Sequence, residues 1–475
     1  MKKIFKSTIK PGKSIVGVGL QYGDEGKIKI FDQVVPKNTD IWARFNGGSN
    51  AGHNLQCGNL EIITHAVPSF FPQPNSLGYI GSGCVVNAAK IWSEIEEITV
   101  KGFPLQRRLF ISPKCTLIQP HHVLIDQNGG KEVGTTGNGI GPAYADQAQR
   151  QLEEKLKNIR LGDYLKESER MKEHVRANLE EVCGQYGLAM DTETCLEQFD
   201  EAVQRLAGYV AWDSLFLLDL VEAGKNVFFE GANSVLLDAV VGDVPYVTSS
   251  RTLAVAAYTG GDLSVDFHNK TIGVAKAIVS RVGNGPFITE LGGRESEEYC
   301  KVDGGKKYVK EVEKKMYNVK DLLHSGNLHD LGIALRMLGG EYGATTCRPR
   351  RIGMLDLVML RESCRSNGVK ELYINKFDCL TQFSRSSLPG IPVVTAYELD
   401  GKKIDYVPST TSEMYRAKPV IEYFPHIKED ISSVRRTEDL PETIMKFIGE
   451  IENAVGVPVY GIGVGPRREE FVRLK

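Results

Sequence analysis

The run Ile15-Val-Gly-Val-Gly-Leu20, closed by Gln21-Tyr-Gly-Asp-Glu-Gly-Lys27, constrains this chain most. An uncharged apolar run this short, bounded by a Gly-rich turn, reads as a buried strand. The glycines of the turn let backbone N–H groups approach a ligand closely. After Gly26 the sequence can start a helix. A buried strand that feeds a helix through such a turn opens an α/β unit of parallel sheet.

The alternation then repeats. Asp40 to Phe45 and Leu77 to Val86 read as strands, and Ala88 to Val100 has Ile91, Trp92, Ile95 and Ile98 at helical spacing. Asn226 to Glu230 and Thr271 to Val282 are apolar and each ends in glycine. Leu355 to Arg365 reads as a helix, Lys370 to Ile374 as a strand, Leu440 to Val455 as a helix and Val457 to Ile462 as a strand. This pattern predicts an α/β fold: a large open, mainly parallel twisted sheet with helices on both faces. Residues 151–223, rich in Glu, Lys, Leu and Arg, add a mostly helical subregion. Segment 292–340, with Lys306, Lys307, Lys310, Lys314 and Lys315, is charged and loop-like and reads as a surface insertion. No clean boundary divides the chain, so 1–475 is expected to form a single domain, with ligands gathered where strands end in loops.

Charge narrows the possible partners. The net charge is −2, from 58 basic and 60 acidic residues, so no overall field attracts nucleic acid or an anionic membrane. The nine cysteines are odd in number, widely spaced and form no CxxC pair, which argues against zinc or disulfides and for reduced thiols. Met-Lys-Lys-Ile-Phe-Lys is weakly like the start of a signal peptide, but the run Ser14 to Leu20 behind it is too short and Gly-rich. No segment reaches the ~18 apolar residues of a membrane helix. The expectation is a soluble, cytoplasmic protein.

Five loops carry groups able to do chemistry. Gly23-Asp-Glu-Gly-Lys27 can cradle phosphate on backbone N–H groups at a helix start, with Lys27 neutralising an oxygen. It is not a Walker A loop, because Gln21 and Ile28 stand where glycine and a hydroxyl residue belong. The plain alternative is a strand–turn–helix with a solvated acidic pair. Asn46-Gly-Gly-Ser-Asn50-Ala-Gly52-His53 can put backbone and imidazole against a ligand, or be a turn with an ordinary histidine. Gly134-Thr-Thr-Gly-Asn-Gly-Ile-Gly-Pro142 is an anion cradle or a long turn. In Gly343-Ala-Thr-Thr-Cys-Arg348-Pro-Arg350-Arg351, arginines beside hydroxyls suit carboxylates or phosphates, and a solvated basic turn is the bland reading. Asn375-Lys376-Phe377-Asp378 follows a strand; an aspartate there can accept from guanine N1–H and N2–H₂ together, which adenine cannot offer.

Taken in order, these loops resemble those of the adenylosuccinate synthetase family. Phe229-Glu-Gly-Ala232, Pro245-Tyr-Val-Thr-Ser-Ser250, Arg281-Val-Gly283, Gly285-Pro-Phe287 and Leu355-Asp356 extend the resemblance from Gln21 to about Pro466. It implies GTP-dependent ligation of L-aspartate to IMP through a 6-phosphoryl intermediate, with Mg²⁺ and a homodimer. By position, the catalytic residues are Asp24, as general base, and His53, which stabilises charge on the phosphoryl group. Asp24 and the Gly52 carbonyl are the implied Mg²⁺ ligands. The GTP site maps to Gly23, Glu25, Gly26, Lys27, Gly52, His53, Arg350, Lys376, Phe377, Asp378, Gly463 and Gly465. The IMP site maps to Asp24, Lys27, Asn50, His53, Thr136, Asn233, Thr248, Arg348 and Arg150, the last reaching in from the neighbouring subunit. Thr345, Thr346 and Arg348 match the aspartate loop.

Several positions depart from the family pattern. Ile28, Ser234 and Cys347 stand where it usually has glycine, Ser49 for His, Asn138 for Arg, Asn233 for Gln and Gly463 for Ser. Val240-Val241 replaces a usual Asp-His, and Arg467 a usual Asp. Two alternatives stay open: the same chemistry on dGMP or another 2-aminopurine nucleotide, which the changes near the monophosphate site suggest, and a nucleotide-binding regulator without turnover. The second rests on Ile28, which would crowd a phosphate if its φ were positive.

Overall fold

The computed structural model describes residues 10–49, 52–57, 60–129, 135, 137–343 and 347–475. The chain, read from sequence as one domain, groups into two compact units. The first comprises residues 1–17, 34–232 and 248–270, the second 18–33, 233–247 and 271–475. Nine strands carry the mainly parallel sheet of this α/β fold.

In the first unit the strands are β1 (Ser14–Gly19, whose last two residues belong to the second unit), β2 (Ile41–Arg44), β3 (Leu77–Ile80), β4 (Leu109–Ile111) and β5 (Val227–Glu230). They lie in the order β1-β5-β2-β3-β4, every pair parallel. Parallel strands are covered on both faces, which explains why they are nearly unbroken apolar runs. Val227 to Glu230 and Ile41 to Arg44 are buried throughout, and Trp42 meets Phe228 edge-on at 4.8 Å. Helix Ala88–Val100 forms as its spacing predicts. Asn87 caps it by accepting from Lys90 N–H at 3.1 Å, and Ile91, Ile95 and Ile98 are buried. Residues 151–223 are mostly helical, with helices at Leu161–Lys166, Ser168–Tyr186, Thr192–Arg205 and Phe216–Glu222.

The second unit holds β6 (His268–Lys276, beginning in the first unit), β7 (Val369–Asn375), β8 (Val459–Gly463) and β9 (Phe471–Arg473), in that order. The first two pairings are parallel and the last is antiparallel. Helix α1 (Lys27–Val34) follows the phosphate-type turn. Leu355 and Asp356, expected to be helical, form a short strand instead, and the helix α2 runs from Leu357 to Ser366. The cause is local: the Asp356 carboxylate accepts from Met359 N–H at 3.0 Å, which makes it an N-cap with extended backbone.

Segment 292–340 is not loop-like. It contains helices at Gly293–Gly305 (interrupted at Val302–Gly304), Lys310–Met316, Val319–His324 and Leu328–Gly339. Its charges are not all solvated. Arg336 makes a two-pronged ion pair with Glu313 at 3.0 and 2.5 Å, both side chains buried, and Tyr342 donates to the same carboxylate at 2.5 Å. High charge density therefore reflected one wet face and one internal pair.

Candidate active site

In the second unit, the first loop folds around Glu25. That side chain is fully buried. Its carboxylate accepts from Gly23 N–H at 2.8 Å, Gln21 N–H at 3.2 Å, the Ser234 hydroxyl at 2.6 Å and Lys27 Nζ at 3.0 Å. Burial opposes its charge, but Lys27, Lys276 and the Ser234 hydroxyl outweigh this and hold its pKa below the ordinary value. Glu25 is thus the internal brace of the turn, not half of a solvated pair. Gln21 fixes the turn to β6: its side chain donates to the Lys276 carbonyl at 3.1 Å and accepts from Lys276 N–H at 2.9 Å. Lys27 also donates to the Asn233 backbone carbonyl at 2.7 Å. Asn233 has φ +59°, a left-handed conformation that asparagine enters more readily than most residues.

Asp24 also adopts positive φ, +57°, and its side chain is about half exposed. It pairs with Arg350 at 2.9 Å, and Arg350 pairs with Glu341 at the same distance. Glu341 is one of the residues that sequence reasoning missed. It is buried, lies 3.3 Å from Lys276 and 3.5 Å from Lys376, and accepts from Ser280 at 2.7 Å. Burial disfavours its charge, yet Lys276, Arg350 and Lys376 hold its pKa far below the usual carboxylate range. The structure therefore brings Asp24, Arg350 and Lys376 together through one internal carboxylate. Lys276, wholly buried, is pulled below the ordinary lysine value by burial, against the attraction of Glu341.

Lys376 has φ +61° and donates to the Gly339 carbonyl. Phe377 is buried, and one carboxylate oxygen of Asp378 is buried without a protein partner. Burial raises the Asp378 pKa, with Lys376 opposing. Gly463 and Gly465 lie buried at and just beyond the end of β8, and the Gly465 carbonyl accepts from Lys29 Nζ at 2.5 Å. Gly343 N–H donates to the Arg348 carbonyl and Cys347 N–H to the Gly343 carbonyl, both at 2.9 Å. Ile28 sits inside α1, not at positive φ, so the crowding argument for a chemically inert regulator falls.

In the first unit, His53 opens a strand, His53–Cys57, and is buried. Its Nδ1 meets the Glu230 carboxylate at the end of β5 in a short contact. Glu230 also accepts from Ser69 N–H at 2.9 Å and lies 3.5 Å from Arg44. Burial opposes the Glu230 charge, but His53 and Arg44 prevail and lower its pKa. A carboxylate fixing one ring nitrogen orients the other, as in Asp–His pairs of many active sites. Glu230 lay in plain view at the end of a predicted strand, but its partner nine residues from Arg44 could not be paired with it from sequence. Arg150 is exposed at the end of helix Ile140–Gln149 with φ +65°, Thr248 is half-buried, and Gly52 is exposed. Asn50, Thr136, Thr345 and Thr346 lie outside the described residues.

Among the described residues, one triad has metal-ligand spacing: His121, His122 and Asp146. His122 Nδ1 accepts from Gln119 N–H at 2.9 Å, so the ring proton sits on Nε2, facing Asp146 at 3.0 Å. A protonated nitrogen has no lone pair for a metal, and the triad reads as a carboxylate satisfied by two imidazoles.

Comparisons with known proteins identify the family. Residues 16–472 match the family model described as adenylosuccinate synthetase. The chain is 39% identical over 466 residues to adenylosuccinate synthetase 2 of Cupriavidus pinatubonensis, covering 98% of each chain. It is 37% identical over 473 residues to the adenylosuccinate synthetase of Staphylococcus aureus, covering 97% of this chain and 99% of that one. The fully ligated adenylosuccinate synthetase of Plasmodium falciparum superposes with a TM-score of 0.81 at 32% identity, covering 98% of this chain and 100% of that one. The succinoaminodeoxyadenylate synthetase of cyanophage S-2L, bound to dGMP and dATP, shares the fold with a TM-score of 0.57 at 16% identity, covering 98% and 96%. Fold and sequence together define an α/β ligase of purine biosynthesis. The chain belongs to the adenylosuccinate synthetase family.

Proposed function

We propose that this enzyme uses GTP and Mg²⁺ to join L-aspartate to IMP, giving adenylosuccinate, GDP and phosphate. The observation that carries the reading is the Asp24–Arg350 pair, 2.9 Å long, beside the Lys27 turn. In it a carboxylate and a guanidinium stand beside a helix start, whose N–H groups favour an anion, and this supports the roles of base and phosphate cradle.

The residues divide the work as follows. Asp24 takes the proton from purine N1, and the electron pair left behind gathers on the 6-oxygen. That oxygen attacks the γ-phosphorus of GTP, the bond to GDP breaks, and a 6-phosphoryl nucleotide results. The aspartate amine then attacks C6, and phosphate leaves with the 6-oxygen. His53, held by Glu230, stabilises charge on the transferring group, and Lys27 with the N–H groups of Glu25 and Gly26 cradles phosphate. Arg348 with Thr345 and Thr346 receives aspartate. Asp378, with its buried acceptor oxygen, reads the guanine donors of GTP while Lys376 lies against the base. The donor chemistry also suits Mg²⁺. Asp24 is half exposed, and this ion is commonly held by one or two carboxylates plus phosphate oxygens. Asp24 and the Gly52 carbonyl would hold it. Bound there, the ion would neutralise charge on the phosphoryl oxygens. Arg150 reaches the neighbouring subunit's site in a homodimer.

A second reading keeps the chemistry and changes the acceptor to dGMP or another 2-aminopurine nucleotide. It is favoured by Asn233, a shorter amide than the family's usual Gln, held at positive φ. The test is phosphate release by the purified protein with Mg²⁺, GTP and aspartate, adding IMP or dGMP in separate reactions. Release with IMP and a succinylated product by mass supports the first reading; release with dGMP alone moves the enzyme to the second.

A further inference from the structure

The proposed roles leave Asn375 without a task, although it is 4% exposed and sits at the end of β7. Its amide nitrogen donates to the Glu25 carbonyl at 2.6 Å and to the Gly26 carbonyl at 3.2 Å. In a trans peptide the C=O and the following N–H point in opposite directions. Drawing these two carbonyls toward Asn375 therefore aims the N–H groups of Gly26 and Lys27 away from it, out of the turn. They stand at the start of α1, where N–H groups lack helical partners and favour an anion.

The fit depends on two glycines. A Cβ at Gly463 would lie 2.2 Å from the Asn375 amide oxygen and 3.0 Å from Lys29 Nζ. A Cβ at Gly26 would lie 2.9 Å from the Asn375 amide nitrogen. The Gly463 departure from the family's usual Ser thus makes room for the Asn375 side chain.

We infer that Asn375 is a positioning residue that clamps the Gly23–Lys27 turn from behind, presents its N–H groups to the phosphates of the nucleotide, and requires glycine at 463. The nucleotide in question is the GTP of the proposed function, so the test separates the clamp from that reading. Asn375→Ala, Gly463→Ser and the double variant are prepared as full chains, and circular dichroism confirms that each folds. Without ligand, amide exchange of the 21–30 segment is expected to quicken in both single variants. With Mg²⁺ and GTP, calorimetry is expected to show binding about tenfold weaker in each, the size of one to two lost hydrogen bonds. The GTP-over-ATP ratio stays unchanged, because the clamp acts on the turn and not on the base. The double variant binds no more weakly than the poorer single one, since both break the same contact. Unchanged exchange in Asn375→Ala, or losses that multiply in the double variant, overturns the clamp. Quickened exchange in an enzyme whose wild type binds no GTP keeps the clamp and removes the nucleotide reading.

Discussion

Arg350 connects Asp24, the proposed general base, to the interior: one end of its guanidinium holds Asp24, the other the buried Glu341. Asp24 is half exposed, so its replacement leaves the buried network intact. Asp24→Asn keeps size and shape but cannot accept the N1 proton. Its turnover is expected to fall by a factor on the order of 10² or more while the thermal midpoint is kept; near-normal turnover would remove Asp24 from the role of base. Asp378 offers a second residue-level test. One of its carboxylate oxygens is buried without a protein hydrogen-bond partner, and a ligand's N–H groups would satisfy it. Asp378→Asn should cut the GTP-over-ATP preference in a competition assay by about tenfold, and an unchanged ratio would end the case for guanine reading. These two residues were legible in the sequence because each follows closely on an apolar strand. Glu341, Glu230 and Asn375 were not, because their roles depend on partners far along the chain: Lys276 for Glu341, His53 for Glu230 and Glu25 for Asn375.

At the scale of elements, the N-cap of α2 is the informative case. Asp356 is buried, caps the helix and accepts from the Tyr397 hydroxyl at 2.6 Å. Burial raises its pKa from 3.8 to about 6, with Tyr397 opposing. A raised folded pKa means that the native state binds more protons than the unfolded one between these values. Stability from this group is therefore full below about pH 4 and is lost as pH climbs to about 6. Asp356→Asn stays neutral and still offers a capping oxygen, so its stability relative to wild type should improve from pH 4 to pH 7 in urea titrations. A constant difference across that range would show that Asp356 does not titrate as described. The sequence signalled a helix here through its apolar spacing, but not the strand residues before it. The boundary was set by a carboxylate that caps, and Leu355 and Asp356 pair in parallel with Val393 and Val394. Segment 292–340 misled for a related reason: its lysines lie among helices whose buried face includes Leu322, Leu323, Leu331 and Leu335.

For the whole molecule, the proposal that Arg150 acts in the neighbouring subunit's site makes a quantitative prediction. Arg150 is exposed at a helix end with positive φ. Arg150→Ala and Asp24→Asn chains should each be nearly inactive. If mixed and reassembled at random, half the dimers are mixed and each contains one intact site of two, so about a quarter of wild-type activity returns. No recovery, with mixed dimers verified by mass, would show that Arg150 serves its own subunit. At this scale the sequence by itself determined the α/β class, most of the strands of the large sheet and the glycine-rich loops at their ends. All of these follow from local periodicity and from glycine-rich turns at strand ends. Only the tertiary structure decided the grouping into two compact units, the internal carboxylates that hold Arg350 and His53, and the seat that Gly463 leaves for Asn375. Those features are contacts between residues tens to hundreds of positions apart, and their energies come from burial and from charges facing each other in a dry interior, which no local pattern encodes.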